Sequence, residues 1–470
     1  MTIESFLFDA QWVFLIYFIG LNAGYLAQNV LAIAGIRRYL QTAEQLEAEN
    51  VFSSLDLPVS IIVPAHNEAV SINSSVRALL QLQYPQYELV VVNDGSTDGT
   101  LEKLIDGFAM RPFPEAYRAQ IPCKHVRGVY RSARHPNLRV IDKESGGSKA
   151  DASNAGINAA RFPLVCVVDA DSVLMQDSLR RMVRPFLEDP STIAAGGTVR
   201  IANGCTVRQG FIEKVGLPRN FLALLQVVEY LRAFLFGRLG WTSLNALLII
   251  SGAFGLFRKD VITEVGGFAA DAIGEDMELI VRLHRHMKMQ RRKYRIKFIP
   301  DPVSWTDAPE TLRGLKSQRV RWQHGLGQAL FKNRALMFYP RGGAVSWLAI
   351  PFYLVFELFG PIVEAAGYVV MIAAAVLGLM SPSTATLFLA LSIVLGMLLS
   401  TSAIMLEELS FHMYPRLRDI LLLYLVAILE NFGYRQLNAI WRMQGLYRWL
   451  FGRSHKWEAI ARTASLREQA

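Results

Sequence analysis

Charge is scarce along this chain. Only 19% of its 470 residues are Asp, Glu, Lys or Arg and 52% are apolar, whereas soluble proteins carry roughly a quarter charged residues. That composition excludes disorder over most of the length and argues against a wholly soluble globule. Cysteine is scarcer still. Cys123, Cys166 and Cys205 are spaced unlike a metal cluster or a disulfide framework, and Cys166 sits in an apolar run, so a reducing compartment is the simplest reading. Also lacking is a basic stripe interleaved with aromatics. The excess of 49 basic over 40 acidic residues, +9, therefore points to membrane-facing loops and not to nucleic acid. The length allows two to four units.

What is present first is a span. No formal charge falls in the 26 residues from Gln11 to Ile36, and about 20 helical residues cross a hydrocarbon layer. Glu4 and Asp9 precede it and Arg37 and Arg38 follow it, so the positive-inside rule puts the amino terminus outside and the next segment in the cytoplasm. A cleavable signal peptide would want a basic start and a shorter apolar core. Between about Asn50 and Phe338 no uncharged run reaches spanning length. Apolar character returns in Gly342–Phe356 and in Ala365–Leu406, which Ser381-Pro382-Ser383-Thr384 divides into two helices, the first from near Pro361.

A further apolar segment from Ile420 carries Glu430 and Arg435, so it either crosses with its charges turned to a bundle or lies at the interface. From Gly433 onward seven basic residues face two acidic ones, which favours a cytoplasmic end. Three crossings after the middle region would put that end outside. Either Gly342–Phe359 also dips into the bilayer, or the Ile420 segment does not cross. The expected organisation is a transmembrane helix over 1–40, a cytosolic α/β domain over 50–340, transmembrane or interfacial helices over 341–440 and a basic cytoplasmic tail over 441–470.

In the middle region strands rich in Val and Ile alternate with helices. Val59–Val63, Leu89–Val92, Arg139–Ile141 and Leu164–Val168 are the strands, which implies a parallel sheet covered on both faces with its ligand at the strands' carboxyl ends. There Asp169 and Asp171 follow a buried strand on a tight turn, a pair of hard oxygen ligands suited to a divalent cation and a phosphate. Asp94 ends another strand in a turn that caps the next helix, and capping by Thr97 or Asp98 leaves Asp94 free to accept from a base or ribose. Lys149 follows a Gly-Gly pair at a helix start, where backbone donors and an ammonium group meet a diphosphate.

The series Ser60 to Glu68 (Ser-Ile-Ile-Val-Pro-Ala-His-Asn-Glu), Asn93-Asp94-Gly95-Ser96, Asp169-Ala170-Asp171, Gly274-Glu275-Asp276 and Gln318-Arg319-Val320-Arg321-Trp322 resembles the membrane-embedded family 2 glycosyltransferases, the group with cellulose, chitin, hyaluronan and poly-N-acetylglucosamine synthases. The match runs from about Pro58 to Lys332. The resemblance implies a GT-A, Rossmann-like fold inserted between transmembrane helices, a nucleotide sugar donor, usually a UDP sugar, Mg²⁺ or Mn²⁺ as cofactor, and inversion at the anomeric centre. It implies that Ala65, Glu68, Asp94, Lys149 and Asp169 hold the nucleotide sugar and that Asp169 and Asp171 hold the metal. Asp276, with Glu275, matches the catalytic pair. Gln318, Arg321 and Trp322 match a motif in which arginine neutralises the diphosphate and the indole stacks on a sugar. Ser251 and Gly252 resemble the acceptor end, with Trp322.

Two departures stand out. Ser148 lengthens the segment before Lys149, and Gly274 stands where Thr is often found. The stretch from Pro218 to Trp241, with Arg219, Arg232 and Arg238, reads as an amphipathic helix on the cytoplasmic membrane face, and Arg285–Lys297 as a solvated or headgroup-facing run. The implied partners are the donor, a growing glycan or lipid acceptor, membrane lipids and export partners, with no nucleic acid, in the inner membrane. Three functions stay open: a polymerising synthase, single transfer to a lipid, and a noncatalytic nucleotide-binding membrane partner. The sugar stays open too, with glucose and N-acetylglucosamine favoured by the resemblance alone.

Overall fold

The computed structural model describes residues 3–49, 56–378 and 382–452. Ser381 and the basic tail beyond 452 lie outside the described residues. Twelve strands run in chain order among those described: β1 (Val59–Ala65), β2 (Tyr87–Asp94), β3 (Met110–Pro112), β4 (Val126–Ser132), β5 (Leu138–Lys143), β6 (Leu164–Val168), β7 (Val173–Leu174), β8 (Thr192–Ile201), β9 (Thr206–Arg208), β10 (Phe211–Lys214), β11 (Phe254–Arg258) and β12 (Arg295–Thr306). One sheet has the order β3-β4-β5-β2-β1-β6-β11-β8-β12-β7, and β9 pairs with β10.

The expected parallel strands form its middle: β5, β2, β1 and β6 are mutually parallel. Their side chains alternate between two cores. Val59, Ile61 and Val63 enter one and Ile62 the other, so both faces are covered and the strands read as unbroken apolar runs. The flanks depart from a purely parallel sheet, since β11 runs antiparallel to both β6 and β8, and β4 antiparallel to β5. Chain order reverses about β1, with β2 on one side and β6 on the other, which opens a crevice beyond the carboxyl ends of these two strands.

Around the sheet pack α1 (Ile3–Glu49), α2 (Ile72–Leu79), α3 (Thr100–Phe108), α4 (Lys149–Ala159), α5 (Ser178–Glu188), α6 (Phe221–Tyr230), α7 (Arg238–Ser243), α8 (Lys259–Glu264), α9 (Glu275–Met289) and α10 (Leu312–Lys332). π-helical turns over Leu231–Gly237 join α6 to α7. After them come π turns over Val345–Ala349, α11 (Ile350–Phe352), further π turns over Tyr353–Leu358, α12 (Gly360–Val376), α13 (Pro382–Phe411), α14 (Leu417–Leu429) and α15 (Tyr434–Leu450).

Among the described residues two helices are long and apolar enough to cross a membrane, at Trp12–Gln41 and Ile393–Phe411, with a third span if Val345–Leu358 and Gly360–Val376, bent by 44°, act as one. The first presents Trp12, Val13, Ile16, Ile19, Leu26, Val30 and Ile33 outward, as a lipid-facing helix does. The Ile420 segment is resolved into α14, whose 13 residues reach about 20 Å, short of the roughly 30 Å hydrocarbon core.

The Pro218–Trp241 stretch is helical from Phe221, but two of its three arginines, Arg232 and Arg238, do not sit at headgroups; only Arg219 is exposed. Arg238 is buried, and Arg232 is paired with Glu430, which is 198 residues away in sequence. Periodicity on one helix cannot disclose a partner that far along the chain.

Candidate active site

The β1 and β2 carboxyl ends are stitched together. Asn67 Oδ1 accepts from the Thr97 N–H at 2.8 Å, the Glu68 N–H donates to Thr100 Oγ1 at 2.9 Å, and the Ala69 N–H donates to Asp98 Oδ2 at 2.9 Å. Asp98 also takes the Thr100 N–H, so it serves the helix start as expected. Asp94 is not the free carboxylate that the turn chemistry predicts. Its Oδ1 accepts from Lys143 Nζ at 2.5 Å and from the Gly146 N–H at 3.0 Å. Lys143, fully buried at the end of β5, also pairs with Asp151 of α4 at 2.5 Å. The intervening Gly95 has φ of +62°, and a Cβ there would lie 2.7 Å from the Ser145 nitrogen, so only glycine fits.

Beyond β6, Asp169 and Asp171 share one turn. Lys149 Nζ pairs with Asp169 Oδ1 and donates to the Gly252 carbonyl at 2.6 Å, which ties the β6 turn to the segment before β11. Burial alone would lower the Lys149 pKa, but Asp169, Glu275 and Asp276 outweigh it and hold the ammonium above its ordinary value. The Gly252 N–H donates to Asp276 Oδ2 at 3.1 Å, and a Cβ on Gly252 would come within 3.3 Å of that oxygen. Asp276 and Glu275 open α9, where the helix N-terminus favours carboxylates. Burial, then the neighbouring Asp276, pushes Glu275 up to about 7.

Gln318, Arg321 and Trp322 stand three and four residues apart on α10 and so share a face. Gln318 is buried with no partner for Oε1, and Trp322 is 39% exposed. Arg319 stacks over Trp322 at 4.4 Å while pairing with Glu229 at 2.8 Å. The departure at Gly274 has a steric reason. A Cβ there would lie 3.3 Å from Gly325 Cα of α10, so the glycine lets the α9 start press against the helix that carries the tryptophan motif.

One cavity of about 1570 Å³ is lined by every residue nominated from the sequence: Ala65, Glu68, Asp94, Lys149, Asp169, Asp171, Ser251, Gly252, Glu275, Asp276, Gln318, Arg321 and Trp322. Ligand sites usually enclose roughly 300 to 1,000 Å³. The excess continues among the helices that pack outside the sheet, past Tyr25 of α1, Phe352, Phe356 and Arg442 of α15. Sequence reasoning passed over Lys143, whose one signal is a lysine closing an apolar strand. It also passed over Tyr25 and Arg442, both bonded to Glu357; a carboxylate in an apolar run was their flag.

The family model described as "Glycosyltransferase like family 2" matches residues 57–325. The poly-beta-1,6-N-acetyl-D-glucosamine synthase of Staphylococcus aureus (strain COL) is 30% identical over 277 residues, 58% of this chain and 56% of that protein. Its namesake in Staphylococcus epidermidis is 28% identical over 275 residues, with the same coverage. This chain spans a little over half the length of these curated relatives. Among solved structures, the mannosyltransferase PcManGT from Pyrobaculum calidifontis, in complex with GDP-Man and Mn2+, superposes with a TM-score of 0.53 at 18% identity, over 92% of this chain and 100% of that one. That likeness shows the fold, a GT-A arrangement.

Proposed function

The chain belongs to family 2 of the glycosyltransferases, and from that premise we infer that it is an inverting hexosyltransferase that lengthens a β-linked polysaccharide from a UDP-activated sugar, N-acetylglucosamine foremost. The observation that carries this reading is the single cavity that gathers the strand-end carboxylates, the Asp276 loop and the α10 motif and continues between apolar helices. The named synthases to which it is similar support the choice of sugar.

The acceptor hydroxyl oxygen attacks C1 of the donor opposite the diphosphate. The bond from C1 to the phosphate oxygen breaks, UDP leaves with the electron pair, and the hydroxyl proton passes to Asp276. The N–H of Gly252 fixes the Asp276 carboxylate. Lys149 and Arg321 put positive charge where the diphosphate departs. Trp322 offers a flat face to a sugar ring, and the unpartnered Gln318 oxygen takes a hydroxyl proton donor. Glu275, holding its proton to about pH 7, is suited to donate a hydrogen bond instead of accepting the acceptor's proton.

Asp169 and Asp171 fit a divalent cation. Both are hard oxygen donors that line the cavity from one turn, and among the described residues no group of three or more His, Cys, Asp or Glu stands placed to hold a metal by itself, so a cation there would need further oxygens from the diphosphate and water. Mg²⁺ or Mn²⁺ held there would neutralise charge on the leaving diphosphate.

With the amino terminus outside, three crossings by α1, the bent pair ending in α12, and α13 return the chain to the cytoplasm. The catalytic domain and the basic end then share the cytoplasmic face of the cell membrane, and the product leaves between the helices. The test is a panel of UDP and GDP sugars, with Mg²⁺, Mn²⁺ or chelator, on the purified protein in nanodiscs, followed by mass analysis. Metal-dependent polymer from UDP-N-acetylglucosamine is the expected result. A single sugar on a lipid would overturn polymerisation, and no consumption of any sugar nucleotide would overturn the enzyme reading.

A further inference from the structure

The inner end of the cavity holds several arginines, and one of them differs from the rest. Arg232 pairs with Glu430, Arg319 with Glu229 and Arg442 with Glu357. Arg238 is only 4% exposed, and among the described residues no carboxylate lies within ion-pair distance of it, although the Asp276 charge favours its cationic form; its guanidinium stacks on the Phe234 ring at 3.9 Å, and Nη1 has no hydrogen-bond partner. A second buried donor lies on α1, which packs against α7. Gln28 of α1 is 5% exposed, its Nε2 is likewise unpartnered, and it lines the same cavity. A Cβ on Gly237 would be 3.8 Å from Gln28 Oε1, and one on Gly240 would be 2.8 Å from the Gln28 carbonyl oxygen, so the two segments are in contact.

Buried donors without partners are costly, about 1 to 3 kcal/mol each, and fully buried polar groups are nearly always satisfied. Two on touching segments that line one cavity mark a place that a ligand completes. The π-helical turns that end at Gly237, immediately before Arg238, are a feature often found at functional sites. A polar residue facing a cavity from a membrane-crossing helix has the same meaning.

The chemistry favours a neutral polyol over an anion. The neighbouring arginines are already matched by glutamates, the carboxylate of Asp276 lines the same cavity, and so do Tyr230, Phe234 and Trp241, with the Phe234 ring against the Arg238 guanidinium. Aromatic faces with a few fixed donors are what a sugar ring requires. Burial lowers the Arg238 guanidinium to about 10, which leaves it cationic at neutral pH.

The geometry points to an acceptor subsite in which Gln28 and Arg238 donate hydrogen bonds to hydroxyl oxygens of the glycan and so position the terminal sugar whose hydroxyl faces Asp276. This rests on the glycosyl-transfer reading above and adds a role for the first membrane helix in holding the acceptor.

The experiment measures binding, so it does not depend on turnover. Full-length protein in nanodiscs is titrated with a β-linked N-acetylglucosamine pentasaccharide and, separately, with UDP. In Arg238→Met and in Gln28→Leu the pentasaccharide Kd should rise, roughly tenfold or more for the charged donor, while the UDP Kd stays within about twofold. Arg238→Lys should recover part of the loss. Wild-type protein that binds no pentasaccharide, or variants that bind it as wild type does, would overturn the subsite, as would loss of UDP binding in parallel. Farnesyl phosphate bound more tightly than the pentasaccharide, with that preference lost in Arg238→Met, would replace the glycan with a lipid phosphate. Normal pentasaccharide binding in a protein that transfers no sugar would instead overturn the donor reading and leave the subsite standing.

Discussion

Gly325→Ala is a small change with two opposed physical effects. In the middle of α10, alanine gains about 1 kcal/mol of helix propensity over glycine. Yet the new Cβ would stand 3.0 Å from both Cα and N of Gly274, against backbone that cannot rotate aside. Carbon atoms prefer about 3.5 to 4.0 Å, so α10 and the start of α9 must separate by roughly 0.5 to 1 Å. Overpacking of this kind costs about 1 to 3 kcal/mol, which leaves net stability between unchanged and about 2 kcal/mol lower. The larger effect is on chemistry. Asp276 lies two residues after Gly274, while Gln318, Arg321 and Trp322 ride on α10, so the gap opens between the proposed base and the groups proposed to hold the donor. A misplacement near 1 Å costs up to about 10²-fold in rate. The variant, compared with wild type by steady-state sugar transfer and by thermal unfolding, should show kcat reduced roughly ten- to hundredfold with UDP Kd unchanged. Wild-type kcat with a raised Tm would refute the reasoning, because it would mean that the Gly274–Gly325 contact is slack and only helix propensity matters.

Two other perturbations follow from the buried charges. Lys143→Met strands Asp94 and Asp151 without their shared cation. Breaking a buried pair costs about 3 to 5 kcal/mol, so Tm should fall and the donor KM should rise; an unchanged Tm would show that the lysine is dispensable. Glu275 is raised from its ordinary 4.5 to about 7 by burial and Asp276. The folded protein therefore keeps a proton that the unfolded chain releases above 4.5, and this contribution to stability is present at low pH and lost as pH rises towards 7. In chelator, wild-type Tm should fall between pH 5 and pH 7.5, and Glu275→Gln should flatten that slope; an equal slope in both would assign it to another group.

Local patterning made the middle of the sheet legible. The runs at Val59–Val63 and Leu164–Val168 are apolar because both faces are covered, and the polar residues after them mark the ligand side. Asp169, Asp276 and Trp322 were nominated by motif, and the fold gathers them at one cavity. Antiparallel β11 was not legible, because a five-residue strand carries no direction in its own sequence. The engagement of Asp94 was hidden for a related reason: its partner Lys143 is 49 residues on, and only the register of β2 against β5 brings the two together. Arg232 and Arg238 misled more seriously. On a helical wheel they look like headgroup contacts, and only packing against α13, α1 and the region around Glu430 turns them inward.

The sharpest test sets Asp276→Asn beside wild type in nanodiscs, with UDP-N-acetylglucosamine and Mn²⁺ supplied to both. If a single base at the α9 start takes the acceptor's proton, the variant binds UDP as wild type does and forms product at least about 10²-fold more slowly. Sugar chains of wild-type length, made at the wild-type rate by protein lacking that carboxylate, would contradict the account.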